Sequence, residues 1–310
     1  MTILVTGAAG YIGSMLVPRL LAAGHRVIAL DNFMFGQATL LDCCHDEKLA
    51  IIRGDARDRR LIAEQMKKAD AVIPLACLTG APLCNKDPEN ARTVIVDAVR
   101  LILELRSKAQ AVLYPTTNSG YGIGEKGIHC DETTPLRPVS LYGRLKVEAE
   151  KAVLDSGNGL TFRLATAFGA SPRMRLDLLV NDFVYRAVND GFLVLFEAHF
   201  KRNYVHVRDI GAAFLFAIEN FGRMRNEAYN LGLSDANLDK RELCAEIKKQ
   251  VPKFYFVEAA IGEDPDKRDY IVSNAKIEKA GFRPSVSLAE GIAELIKGFQ
   301  VVKRNQYANV

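Results

Sequence analysis

No stretch of this chain comes near the roughly 18 consecutive apolar residues that a membrane-spanning helix requires, so no membrane partner is expected. A long basic run is missing too. Arg53, Arg57, Arg59 and Arg60 cluster loosely, Asp55 and Asp58 interrupt them, and the net charge of the 310 residues is only +4, which gives nucleic-acid binding no support. The six cysteines (Cys43, Cys44, Cys77, Cys84, Cys130, Cys244) show no metal-ligand spacing, so no metal is expected. A strand begins at the very N-terminus and leaves no room for a signal peptide, from which we expect a cytoplasmic protein with free thiols. Internal repeats and low-complexity tracts are lacking as well. What remains is an ordinary globular balance, 49% hydrophobic and 25% charged, in a length that suits one large α/β unit or two closely joined domains.

The first thirty-one residues are the most informative. Ile3-Leu4-Val5-Thr6 is a short apolar strand, and Gly7-Ala8-Ala9-Gly10-Tyr11-Ile12-Gly13 follows at once. A helical pattern with Ile12, Leu16 and Leu20 stops at Gly24. Arg26-Val27-Ile28-Ala29-Leu30 is a second strand with Asp31 at its tip. The spacing is G-x-x-G-x-x-G, and the glycines alone need do no more than make a tight turn and a close helix–strand contact. In register with strand, helix and acid they form the start of a dinucleotide-binding unit. The turn at Gly7, Gly10, Tyr11, Ile12 and Gly13 brings backbone N–H groups and the positive helix end to a pyrophosphate. Asp31 would accept the adenosine ribose hydroxyls and repel a 2′-phosphate. Asn32, rather than arginine, follows it, so the expected cofactor is NAD and not NADP.

Strand and helix signals then alternate, as a parallel sheet with crossover helices requires. Strands are expected at 50–53, 71–75, 111–114 (closed by Pro115) and 161–164, with helices over 88–106 and 142–154. After about residue 170 the pieces shorten. Strands are expected at 193–196, 204–207, 228–231 and 253–257, and helices at 209–220, 240–250, 274–280 and 288–299. The expected fold is α/β: a Rossmann-type doubly wound parallel sheet over 1–170, with a return around 202–233, and a smaller α/β C-terminal region over 171–310 that mainly holds substrate.

Tyr142 and Lys146 lie four apart on one helix face. A tyrosine serves as a base near neutral pH only if its value, about 10 when free, is lowered. A neighbouring ammonium and an oxidised nicotinamide both favour phenolate, and the lysine could also hold the nicotinamide ribose. Y-x-x-x-K by itself also describes any exposed helix face. Here it follows a dinucleotide unit and a hydroxyl-bearing loop, Pro115-Thr116-Thr117-Asn118-Ser119-Gly120-Tyr121-Gly122. That loop directly follows a strand, at the sheet edge where open α/β sheets bind ligands. A Thr117 hydroxyl there would bond a substrate oxygen as it becomes a carbonyl, though loop polarity alone also accounts for a threonine.

With these residues in place the chain resembles the extended short-chain dehydrogenase/reductase family, in its nucleotide-sugar epimerase/dehydratase branch, over nearly its whole length. Thr6 to Gly13 matches the family's T-G-x-x-G-Y-I-G. Asp55-Ala56 looks like its adenine-side contact and Leu75-Ala76-Cys77 like its L-A-A turn beside the cofactor. Thr117, five residues before Gly122, stands where the family has its catalytic serine or threonine, and Tyr142 and Lys146 match its tyrosine and lysine. Arg202 to Asp209 is similar to R-D-Y-x-H-V-x-D, and Arg268-Asp269-Tyr270 with Lys276 and Gly281-Phe282-Arg283-Pro284 to the C-terminal signature. The resemblance implies NAD as cofactor, a nucleotide-diphosphate sugar as substrate, a homodimer, and Arg202 and Arg268 on the substrate's phosphates, where planar donor forks suit a diphosphate.

Departures from the family narrow the chemistry. Its 4,6-dehydratases carry an acid just after the Thr117 position, whereas this chain has Asn118 and Ser119, neither of them a competent base. Ile95 replaces a frequent asparagine, Thr166 stands where some 4-epimerases have one, and Glu197-Ala198-His199 lacks the usual glycines. These point to an unusual sugar or pocket. Cys77, Asn118, Ser119 and Asn181 join Arg202 and Arg268 as expected substrate contacts, with helix capping an equal reading of Asn181. His206 reads as structural, and Cys84 as a small buried residue. The function expected is an NAD-dependent nucleotide-sugar 4-epimerase acting through a transient 4-keto sugar. A 4-oxidase or 4-reductase would use the same three residues. A 4,6-dehydratase fits less well, and a non-catalytic NAD sensor would not need the tyrosine–lysine pair.

Overall fold

The structure, a computed structural model, describes residues 1–260 and 268–302. In chain order the described strands are β1 (Thr2–Thr6), β2 (Arg26–Asp31), β3 (Leu49–Arg53), β4 (Ala71–Pro74), β5 (Ala111–Thr117), β6 (His129–Cys130), β7 (Gly159–Leu164), β8 (Thr166–Phe168), β9 (Phe192–Leu195), β10 (Arg202–His206), β11 (Ala228–Leu231), β12 (Asn237–Leu238), β13 (Tyr255–Glu258) and β14 (Ile271–Val272). Seven of them form one sheet in the order β11-β7-β5-β4-β1-β2-β3, with every pairing parallel. The order reverses between β1 and β4, and a ligand crevice opens outside the carboxyl ends at such a switch point.

The strands are near-continuous apolar runs because helices cover both faces. Ile3, Val5, Val27 and Leu113 face one core with helices Gly13–Ala22 and Val207–Glu219. Leu4, Ile28 and Val72 face the other with helices Arg59–Met66 and Ala98–Leu105, and Val112 and Tyr114 pack there on helix Leu141–Asp155. Helix Val207–Glu219 lies against helix Gly13–Ala22, and β11 is the sheet's outer strand. A second core holds helices Leu179–Asn189, Lys240–Gln250 and Leu288–Gly298 together with Leu193, Leu195 and Phe254. Among the described residues no helix is long and apolar enough to cross a membrane.

Two local expectations are corrected. Pro115 does not close its strand: β5 runs to Thr117. The strand pairs with β4 only at Ala111 and Val112 and continues on β7 alone, so past Val112 one of its edges carries no ladder and a residue without an N–H is tolerated. The helix expected over 88–106 is continuous but not uniform. Pro88–Arg92 and Ala98–Leu105 are α-helical, and a π-turn, Thr93–Asp97, joins them. Apolar periodicity cannot show a single widened turn.

One buried ion pair ties the sheet to the helix that carries Tyr142. Arg163 of β7 donates from Nε and Nη2 to Glu150 Oε1 (3.0 and 2.8 Å). Its Nη1 reaches the Tyr121 hydroxyl (3.1 Å), which in turn bonds Asn230 of β11 (2.7 Å). Removing one partner of such a pair strands a charge in the interior, at a cost of about 3–5 kcal/mol. Glu150→Ala is therefore expected to lower unfolding stability by about that amount in urea titrations; a loss below about 1 kcal/mol would show that the pair does not hold the helix.

Candidate active site

A large cleft of about 770 Å³ opens at the carboxyl ends of the sheet strands. Its floor is the glycine-rich turn. Gly7 adopts a left-handed conformation (φ +69°), and a Cβ there would stand 2.5 Å from the Ala76 nitrogen; at Gly13 it would stand 2.4 Å from the Ala8 oxygen. No side chain fits either position, because the turn packs against the end of β4 at Gly7 and against its own carbonyls at Gly13, while Gly7, Gly10 and Gly13 line the cleft. At the tip of β2 the Asp31 carboxylate accepts the N–H groups of Ala9 (2.9 Å) and Phe33 (2.7 Å), which fixes it beside the turn. A cradle without side chains at a helix start, with a fixed carboxylate some twenty residues on, fits the pyrophosphate and ribose of a dinucleotide.

Of the residues singled out from the sequence, Gly7, Gly10, Tyr11, Ile12, Gly13, Asp31, Asn32, Asp55, Ala56, Leu75, Ala76, Cys77, Thr117, Ser119, Tyr142, Lys146, Arg202 and Arg268 all line this cleft. Two do not. Asn118 is buried (1% exposed) beneath the loop. Asn181, with no exposed surface, lies inside the first turn of its helix and does not cap it. It accepts the Gly169 N–H (3.0 Å) and donates to the Arg175 carbonyl (2.8 Å), and so holds the loop between β8 and its own helix. Asp55 faces the cleft but already grips Arg57 twice (2.6 and 2.9 Å), and the guanidinium holds its carboxyl below the usual value.

The chemistry-bearing groups line the same cleft as Asp31. Lys146, 4% exposed, donates to the Tyr114 hydroxyl (3.0 Å) and the Pro115 carbonyl (2.7 Å), so its ammonium is anchored on β5. Burial pushes the Tyr142 phenol above its ordinary value; Lys146 acts in the opposite direction, as does Arg175 more weakly. The lowering expected from the sequence is thus present as a contribution and outweighed by burial, a cost that periodicity does not reveal. Thr117 Oγ1 donates to Ser119 Oγ (2.9 Å) and accepts the Ser119 N–H (3.1 Å). Arg268 Nη1 in turn donates to Ser119 Oγ. Threonine, serine and arginine therefore form one chain of hydrogen bonds, and all three line the same cleft as Tyr142.

The structure also brings to the cleft residues that the sequence reading missed. Arg173, Arg175 and Asp177 all line it, and Arg175 is paired with Asp177 (2.5 Å). Their alternation directly after the β8 strand end was the available signal. Cys84 is fully buried, its Sγ on the Leu78 carbonyl (3.2 Å) and its thiol pushed up to about 12 by burial, so it is a packing residue. His206 caps helix Val207–Glu219 through Nδ1 and packs edge-on against Phe168. Among the described residues no group of three or more His, Cys, Asp or Glu could hold a metal ion.

Comparison with known proteins bears on this geometry. Residues 3–232 match the NAD dependent epimerase/dehydratase family. A UDP-glucose 4-epimerase of Mycolicibacterium smegmatis is 29% identical over 319 residues, spanning 97% of this chain and 99% of its own. UDP-glucuronic acid decarboxylase 1 of Arabidopsis thaliana is 26% identical over 312 residues, spanning 96% and 69%. The crystal structure of UDP-glucuronic acid 4-epimerase from Bacillus cereus, in complex with UDP-glucuronic acid and NAD, superposes with a TM-score of 0.86 at 22% identity over 97% of this chain and 99% of that one. At that identity the likeness is one of fold.

The electrostatics at Tyr142 give a signed expectation. Lys146 is its largest acid-strengthening neighbour, so Lys146→Met leaves burial opposed only by the weaker effect of Arg175 and phenolate forms only at higher pH. The rising limb of the pH–rate profile of any reaction that uses Tyr142 as base is expected to move up by about one unit or more. Coincident profiles for the two proteins would show that the lysine does not tune the phenol.

Proposed function

The chain belongs to the NAD-dependent epimerase/dehydratase family, and from that premise we propose that this enzyme of nucleotide-sugar modification is a 4-epimerase working through a transient 4-keto sugar. One observation carries the reading: Thr117, Tyr142 and Lys146 converge on one cleft, while the positions where dehydration needs an acid hold a buried amide, Asn118, and a hydroxyl, Ser119.

NAD, held at the glycine-rich turn and Asp31, would supply the acceptor and later the donor of the C4 hydride. The residues of the chain do the rest. Tyr142 removes the proton of the C4 hydroxyl as base and returns it as acid. Lys146, fixed by Tyr114 and Pro115, favours the phenolate and would also hold the nicotinamide ribose. Thr117 steadies the sugar oxygen, its own orientation set by Ser119. Arg202 and Arg268 offer planar donor forks to the diphosphate. Turning the keto sugar over within the cleft presents its other face, and inversion at C4 follows. A homodimer through the face formed by helices Ala98–Leu105 and Leu141–Asp155 belongs to the same reading, and sedimentation equilibrium tests it.

Tyr142→Phe is expected to lower turnover by about 10²–10⁴-fold while the protein keeps its NAD, as measured by the nucleotide released on denaturation. A variant that stays active would rule the mechanism out. NMR of the wild-type protein with a panel of nucleotide sugars and no added cofactor reads the reaction directly. A 4-epimer without lasting NADH supports the epimerase. A 4-keto product with stoichiometric NADH overturns it in favour of a 4-oxidase using the same three residues.

A further inference from the structure

The dinucleotide half of the cleft is closed from two sides by segments that the cofactor-binding turn itself anchors. One is the loop after β2. Phe33 N–H is held by Asp31 (2.7 Å), and Thr39 Oγ1 donates to the Ala9 carbonyl (2.9 Å), so residues 33–39 are pinned at both ends to the floor. The other follows β8. The Tyr11 hydroxyl donates to the Gly169 carbonyl (2.7 Å), Ser171 Oγ donates to the Tyr11 carbonyl (2.8 Å), and Ser171 and Ser14 share a hydroxyl–hydroxyl bond (2.9 Å). The two segments meet above the turn. The Arg173 guanidinium carbon lies 3.8 Å from the centre of the Phe35 ring, and both residues line the cleft.

The pair is unusual on energetic grounds. Arg173 is 2% exposed and Phe35 39% exposed, so a cation is buried while a large apolar ring stands at the mouth. Burial and the nearby Arg175 push the Arg173 guanidinium down to about 10, Asp177 and Asp31 act in the opposite direction, and its Nη1 donates to the Met174 carbonyl. It stays charged at neutral pH, and a cation lining the cleft together with the glycine-rich turn suits an anionic group of the dinucleotide.

We propose that Phe35 and Arg173 form a clasp over the pyrophosphate, Arg173 supplying the cation and Phe35 stacking on it, so that NAD leaves only when the stack parts. The inference rests on the proposed epimerase reading, in which NAD is regenerated in place, and its test is run without sugar substrate so that its failure and the failure of that reading are distinguishable. It implies that the cofactor is resident, exchanging slowly compared with turnover.

The test is a chase. Protein loaded with isotopically labelled NAD is mixed with excess unlabelled NAD, and retained label is followed by mass spectrometry. A desolvated cation–π contact of this kind is expected to slow release about tenfold. Phe35→Ala should release label about tenfold faster than wild type, with Phe35→Leu between. Arg173→Ala should be faster still, since it removes both stack and charge. The double variant should be no faster than Arg173→Ala, because one interaction cannot be lost twice. A Phe35→Ala rate within twofold of wild type, or effects that multiply in the double variant, would overturn the clasp. So would a wild-type protein that gives up its NAD on a desalting column. Phe35 lies at the surface, so its two variants carry the test even if Arg173→Ala fails to fold.

Discussion

At the carboxyl ends of β1 and β4 the backbone of Gly7 comes so close to that of Ala76 that an added Cβ would stand 2.5 Å from the amide nitrogen. This approach sits at the point where the strand order reverses, and the rest of the site is arranged around it. It lets helix Gly13–Ala22 start directly over the sheet edge, which aims its free N–H groups into the cleft. It also places Tyr11 and Ala9, the neighbours of the turn, where they receive hydrogen bonds from the loops that close the cleft on either side. A larger residue at position 7 would separate the two strand ends and move the floor, the ribose acid and both walls at once.

The second constraint is electrostatic. A general base must be desolvated to be positioned, and desolvation raises a phenol. At Tyr142 burial is the larger influence and Lys146 the largest opposing one. Lys146 is itself buried, and its ammonium is compensated by neutral oxygens of Tyr114 and Pro115 rather than by a carboxylate. That choice keeps its positive field available to the phenol, where a paired acid would have cancelled it. The extension of β5 through Pro115 to Thr117 puts the Pro115 carbonyl that accepts from Lys146 and the Thr117 hydroxyl on one strand, at the cleft that Tyr142 also lines.

How much of this was legible depended on range. The opening strand, turn, helix and acid are contiguous, and local pattern alone assembled them. The convergence of Thr117, Tyr142 and Lys146 was legible because each lies at a strand end or helix face whose place in a parallel sheet is fixed by topology. Asn181 misled because a polar residue near a helix start looks the same whether it serves a ligand or, as here, the Gly169 amide twelve residues earlier. Arg173 was passed over because its partner, Phe35, is 138 positions away in sequence and no periodicity relates them. The burial cost at Tyr142 was hidden for the same reason, since it is set by neighbours from several segments.

Base tuning and cofactor retention depend on each other in this design. With burial outweighing Lys146, little of the Tyr142 phenol ionises until further positive charge is brought near it. An oxidised nicotinamide carries such a charge. A cleft that released its dinucleotide in each cycle would lose the cofactor's charge and the phenolate it favours together. One that holds it beneath Phe35 and Arg173 keeps the phenol poised for the next substrate. In the proposed mechanism the clasp of Phe35 and Arg173 and the buried Lys146 would serve a single requirement: proton removal by Tyr142 would be efficient only while the hydride acceptor is in place.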